Sequence, residues 1–127
     1  MPRKADEWTP TPAIVQEMVR RLAERFDPQR IILFGSLARD EARRHSDVDL
    51  LMVFDRAVDR AEVMRDALLE LIGLGAAPEV LVTTVDRYRA AVKSDAWTLY
   101  RDIEEEGIVV YERAHEAGGH VARIRAS

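Results

Sequence analysis

An α/β (α+β) layer fold, with a mixed sheet of about four strands flanked by helices, is predicted by three features of the sequence. Helix-period and strand-like apolar runs alternate along the chain, the pattern of a layered α/β or α+β domain. Glycine and proline fall between those runs and not within them. At 127 residues, 47% hydrophobic and 33% charged, the chain has the size and balance of one soluble globular domain.

The elements follow in order. Thr9-Pro10-Thr11-Pro12 is an extended lead-in, with Thr11 as N-cap and Pro12 at the first helical position. Ile14, Met18, Leu22 and Phe26 recur every four residues, with Val15 and Val19 beside them. They form one face of a helix that ends near Asp27-Pro28. Ile31 to Phe34 is a short buried strand stopped by Gly35. Residues 37–46 are too polar and too short for more than a loop and a turn of helix. Val48 to Phe54 is a second strand. Asp59 opens a helix with Glu62 three residues on, a capping-box spacing, and Val63, Met64, Ala67, Leu68, Leu71 and Ile72 are its expected buried face. Gly73 and Gly75 close it. Glu79 to Val82 is a third strand, and Thr84 caps a helix through Tyr88, Ala91 and Val92. Ser94 or Asp95 caps another, with Trp97, Tyr100 and Ile103 inward and Gly107 at its end. Ile108 to Tyr111 is the fourth strand. The pattern then dissolves. Residues 1–11 are expected as a lead-in, 12–112 as the domain and 113–127 as a mobile tail.

Composition narrows the function. There are no cysteines, which excludes disulfides, thiolate metal sites and a cysteine nucleophile, and suits a reducing cytoplasm. The longest apolar run is Leu50 to Phe54, too short to span a bilayer, and the N-terminus lacks the apolar stretch of a secretory signal. With 19 basic against 23 acidic residues the net charge is −4, and the arginines are spread along the chain. No direct nucleic-acid binding and no membrane association are expected. His115 and His120 fall in the expected tail without a third ligand beside them, and His45 is read as an exposed loop residue.

The informative segment runs from Phe34-Gly35-Ser36-Leu37-Ala38-Arg39 to Ser46-Asp47-Val48-Asp49-Leu50. Asp47 and Asp49 lie two apart at a strand entrance, so their side chains share one face. Adjacent carboxylates repel each other unless a hard cation such as Mg²⁺ neutralises both. Glu79, opening the third strand, can join them if the two strands are neighbours. Gly35 after a buried strand permits close backbone approach to a ligand. Ser36 adds a hydroxyl, the following turn offers free N–H groups, and Arg39 suits phosphate. A phosphate cradle beside a metal-holding acid pair is the minimum equipment for nucleotidyl transfer. Taken singly the parts are weak: Asp47 and Asp49 could form a solvated strand entrance, Glu79 a polar strand start, and Arg39 a surface pair with Asp40 or Glu41. Their joint spacing is far less common. Four fixed residues at roughly 5–7% each recur by chance at about one start position in a hundred thousand.

Gly35-Ser36, ten residues, then Asp47-Val48-Asp49 resembles the signature of the DNA polymerase beta-type nucleotidyltransferase superfamily. IILFGSLAR and SDVDLLMVF are similar to its smallest branch, the minimal nucleotidyltransferases (MNT proteins), and the likeness runs from about Ile14 to Glu112. What the resemblance implies is a nucleotidyltransferase fold and Mg²⁺, two ions, with Asp47, Asp49 and Glu79 as metal ligands and catalytic carboxylates. It also implies ATP as donor, with Gly35, Ser36 and Arg39 on its phosphates. It further implies a role as antitoxin, transferring AMP to a tyrosine of a HEPN-domain toxin in a hetero-oligomer. Two positions depart from the family pattern: Asp40 stands where glycine is usual, and Glu79 where aspartate is usual. The alternatives are a non-catalytic antitoxin that masks its partner, and nucleotidyl transfer to a small molecule such as an aminoglycoside or to an RNA end. The short chain is expected to supply the donor half of the site and leave the acceptor half to another protein.

Overall fold

The computed structural model describes residues 12–39, 47–94, 98–113 and 122–124. The elements run α1 (Pro12–Phe26), β1 (Arg30–Phe34), α2 (Gly35–Ala38), β2 (Val48–Phe54), α3 (Arg60–Glu70), β3 (Pro78–Thr84), α4 (Val85–Lys93), α5 (Thr98–Glu106), β4 (Ile108–Arg113) and β5 (Ala122–Ile124). The expected mixed sheet flanked by helices is present. Its strand order is β3-β2-β1-β4-β5, with β2 and β3 parallel and the other pairs antiparallel. The fifth strand was not expected: Ala122–Ile124 pairs with Tyr111–Arg113, so the segment expected as a tail carries one short strand. A run of three residues is too short to stand out as a strand in the sequence.

Strand alternation divides the core in two. Ile31 and Leu33 of β1, Val48, Leu50, Met52 and Phe54 of β2, and Val80 and Val82 of β3 pack under α1 and α3. The intervening residues Ile32, Phe34, Leu51, Val53 and Leu81 pack under α4 and α5, where Tyr88 and Ile103 are buried. Both faces are therefore covered, which is why β1 and β2 read as continuous apolar runs.

Local signals explain the helix ends. Asp59 caps α3 by accepting from the Glu62 N–H at 3.1 Å, and Thr84 caps α4 by accepting from the Arg87 N–H at 3.4 Å. After α1, Asp27 takes a left-handed φ of 47° while its N–H still bonds to the Ala23 carbonyl. Gly73 and Gly75 take φ of 85° and 94° in the turn after α3.

One burial expectation is corrected. In α3 the inward stripe is Ala67 and Leu71 with Val63 and Met64 half-buried. Leu68 lies at its margin, and Ile72 is 69% exposed because the helix ends at Glu70 and Ile72 belongs to the turn. Glu104, exposed on α5, accepts a hydrogen bond from the Tyr88 hydroxyl. Thr11, Asp40, Glu41, His45, Asp95, Trp97, His115 and His120 lie outside the described residues. No helix among the described residues is long and apolar enough to cross a membrane.

Candidate active site

The sheet brings the predicted acids together. β2 and β3 are neighbours in parallel register, with Asp49 opposite Glu79. Asp49 shares its strand face with Leu51 and Val53, and Glu79 shares its own with Leu81, so both point to the α4/α5 side. Asp47, one step outside β2, lies on the same side by alternation. Asp47, Asp49 and Glu79 each offer a carboxylate oxygen, and the three oxygens lie within 4.8 Å of one another. Asp49 is half-buried between two exposed partners.

On the other side of Asp49 stands β1, whose last residue Phe34 is its register partner. The chain then turns at once into α2. Gly35 has φ +76°, and a Cβ built there would lie 2.1 Å from Asp49 Oδ2. Gly35 is thus required twice, for its left-handed backbone and for the space the Asp49 carboxylate occupies. This contact extends the reading from sequence, where glycine was expected to admit a ligand. Leu37 is buried and anchors the turn, Ser36 is half-buried, and Arg39 is the exposed C-cap residue whose N–H bonds to the Gly35 carbonyl at 3.1 Å. The first N–H groups of any helical turn lack partners within it and face outward from its start.

Electrostatics single out Asp49. Burial pushes its carboxyl up to about 7, assisted by the hydrogen bond it shares with Glu79 and by the negative charges of Glu79 and Asp47. Arg39 pulls the other way, which places its charge within reach of the cluster. A carboxyl that resists ionisation in an all-oxygen cluster is a donor set that a hard divalent cation satisfies. The exposure of Asp47 and Glu79 leaves room for water and phosphate oxygens around such an ion. The residues present fit Mg²⁺.

The nucleotidyltransferase domain family matches residues 15–111. The chain belongs to this family. A protein of Methanocaldococcus jannaschii named as a protein adenylyltransferase is 30% identical over 99 residues, covering 76% of this chain and 94% of that relative. A second protein of that organism with the same name is 43% identical over 65 residues, which is 46% of this chain and only 44% of the relative. Among solved structures, a nucleotidyltransferase from Sulfolobus solfataricus superposes with a TM-score of 0.58 at 18% identity, covering 94% of this chain and 95% of its own, a likeness of fold. A toxin–antitoxin structure determined with AMP-PNP gives 0.49 at 17% identity over 74% of this chain and 70% of its own, below the level that bears on fold or function.

Within the nucleotidyltransferase, the six residues expected at the site all fall around one end of β1, β2 and β3. The feature that sequence reasoning missed is the packing of Gly35 on Asp49, because register across two strands separated by a loop is not encoded locally.

Proposed function

We propose that this nucleotidyltransferase moves AMP from ATP·Mg²⁺ to a hydroxyl on a partner protein. The observation that carries the reading is the convergence of Asp47, Asp49 and Glu79 within 4.8 Å beside the Gly35–Ser36 turn. The names of the two M. jannaschii relatives support a protein as the acceptor. The resemblance to MNT proteins supports a HEPN-domain toxin as the partner and a tyrosine as the acceptor.

Asp47, Asp49 and Glu79 would hold Mg²⁺. When bound, the metal would neutralise charge on the triphosphate and on the departing oxygen. Gly35 and Ser36 present backbone N–H groups and a hydroxyl to the β- and γ-phosphates, and Arg39 adds a guanidinium. Glu79, exposed at the mouth of the cluster, accepts the proton of the attacking hydroxyl. The hydroxyl oxygen bonds to the α-phosphorus as the bond to pyrophosphate breaks, so AMP is transferred and pyrophosphate leaves.

The test mixes the full chain with its HEPN partner, ATP and Mg²⁺ and measures the intact mass of the partner. An AMP adduct is expected, and Asp47→Asn with Asp49→Asn abolishes it while circular dichroism stays unchanged. Absence of an adduct would overturn the reading. Survival of toxin neutralisation in the double variant would favour masking by binding alone.

A further inference from the structure

Away from the acid cluster, the α4/α5 side of the sheet holds a cavity of about 310 Å³. It is lined by Arg60, Thr83, Arg87, Ala90, Ala91 and Tyr100. β3 is an edge strand, and the cavity lies where elements from the two helical layers meet along it: α3 supplies Arg60, β3 supplies Thr83, and α4 and α5 supply the rest of the wall. Thr83 is four residues beyond Glu79 on the same strand face, about 13 Å at 3.3 Å per residue. The cavity is therefore separate from the carboxylate cluster.

Its charge is one-sided. Among the described residues no carboxylate lines it, and neither Arg60 nor Arg87 has an ion-pair partner. Asp59 caps α3, Glu104 accepts from Tyr88, and Asp86 lines a different cavity with Asp55. Two guanidiniums without carboxylates, in a chain of net charge −4, make a local positive site. The remaining wall is largely apolar: two alanine methyls, the buried Thr83 and the half-buried ring of Tyr100, which makes a T-shaped contact with Tyr88 at 5.8 Å.

We propose that this cavity is a second ligand site, taking a small organic phosphate whose oxyanion is held by Arg60 and Arg87 and whose flat body lies on Ala90, Ala91 and Tyr100. Its volume is at the small-molecule end of the range for ligand pockets. Paired arginines suit a doubly charged phosphate better than a single carboxylate, because each guanidinium offers a planar fork of donors. The alanines leave the floor free of bulk, and the Tyr100 ring adds apolar surface to the wall.

The test is a titration of the ¹⁵N-labelled full chain in EDTA, so that no metal draws phosphate to the carboxylates. Phenyl phosphate and AMP are expected to shift the amides of Thr83, Ala90, Ala91 and Tyr100 to saturation. Inorganic phosphate shifts the same set more weakly, and phenol and benzoate leave it unmoved. Arg60→Gln and Arg87→Gln each weaken phenyl phosphate about tenfold, the loss of one charge-assisted hydrogen bond, and the double variant removes binding. Both side chains are exposed, so the melting temperature of the variants stays at the parent value. Asp47→Asn with Asp49→Asn keeps binding intact. Shifts confined to Gly35–Arg39 and Asp49, or unchanged affinity in the double arginine variant, would overturn the proposal.

Discussion

Asp49 is held in a place that resists its charge, so removing that charge should stabilise the metal-free protein. Its carboxyl rises from 3.8 to about 7, first through burial and then through Glu79 and Asp47. At full burial that rise would cost the ionised form about 4 kcal/mol. Water still reaches the half-buried side chain, and screening lowers the figure to roughly 1–2 kcal/mol. The sign follows from proton uptake. Between pH 3.8 and about 7 the folded chain binds a proton that the unfolded chain has released, so stability falls as pH rises through that window and stays low above it. An asparagine side chain has the same shape as aspartate without the charge. Asp49→Asn in EDTA should melt about 3–10 °C above the parent at pH 8, at roughly 3–5 °C per kcal/mol for a domain of this size. Near pH 4 the two should agree to within about 0.5 kcal/mol. Mg²⁺ should then raise the parent's melting temperature at pH 8, by about 2.7 kcal/mol of stability at a hundredfold excess over its dissociation constant, and leave Asp49→Asn nearly unmoved. Differential scanning calorimetry over pH 4–8 reads all three. A variant no more stable than the parent at pH 8, or a gap that does not change with pH, would refute the reasoning.

Other consequences are as direct. Gly35→Ala puts a methyl 2.1 Å from Asp49 Oδ2 on a backbone at φ +76°, and should lower stability in urea by about 2 kcal/mol or more while also removing the Mg²⁺ response. Leu22→Ala, at a fully buried position under the sheet, should cost about 2–5 kcal/mol by the urea midpoint. Asp59→Ala removes the cap on Glu62 N–H and should cost about 1 kcal/mol in the same assay. Ile72→Ser, at a residue 69% exposed, should change stability by less than about 0.5 kcal/mol, whereas Leu71→Ser, at its fully buried neighbour, should cost several-fold more.

The elements most legible in the sequence were those whose signals are local. β2 runs from Val48 to Phe54 as its sequence predicts, and Asp59 and Thr84 cap the helices that follow them. The burial of α1 along Val15, Met18, Val19 and Leu22 follows the spacing of those residues. Legibility failed where position depends on what lies opposite. Ile72 fits the periodic stripe of α3, yet the helix stops two residues before it. Nothing near Glu104 in the sequence shows that the hydroxyl of Tyr88, on another helix, bonds to it. β5 is a strand only because the edge of β4 offers it hydrogen bonds.

The site divides in the same way. By itself the sequence determined the parts: a glycine and serine after a buried strand, two acids at alternate positions of the next, and a third acid opening another. These depend on residue type and on the two-residue repeat of a strand, which no partner is needed to establish. Only the tertiary structure decided that β3 lies parallel beside β2, so that Glu79 faces Asp49. It likewise decided that β1 on the other side delivers Gly35 against the same carboxylate. Strand pairing is a contest among edges that are remote in the chain, settled by which arrangement buries both apolar faces of the sheet. The perturbed charge on Asp49 is a product of that pairing, since neither its burial nor its neighbour across the ladder exists until the strands have met.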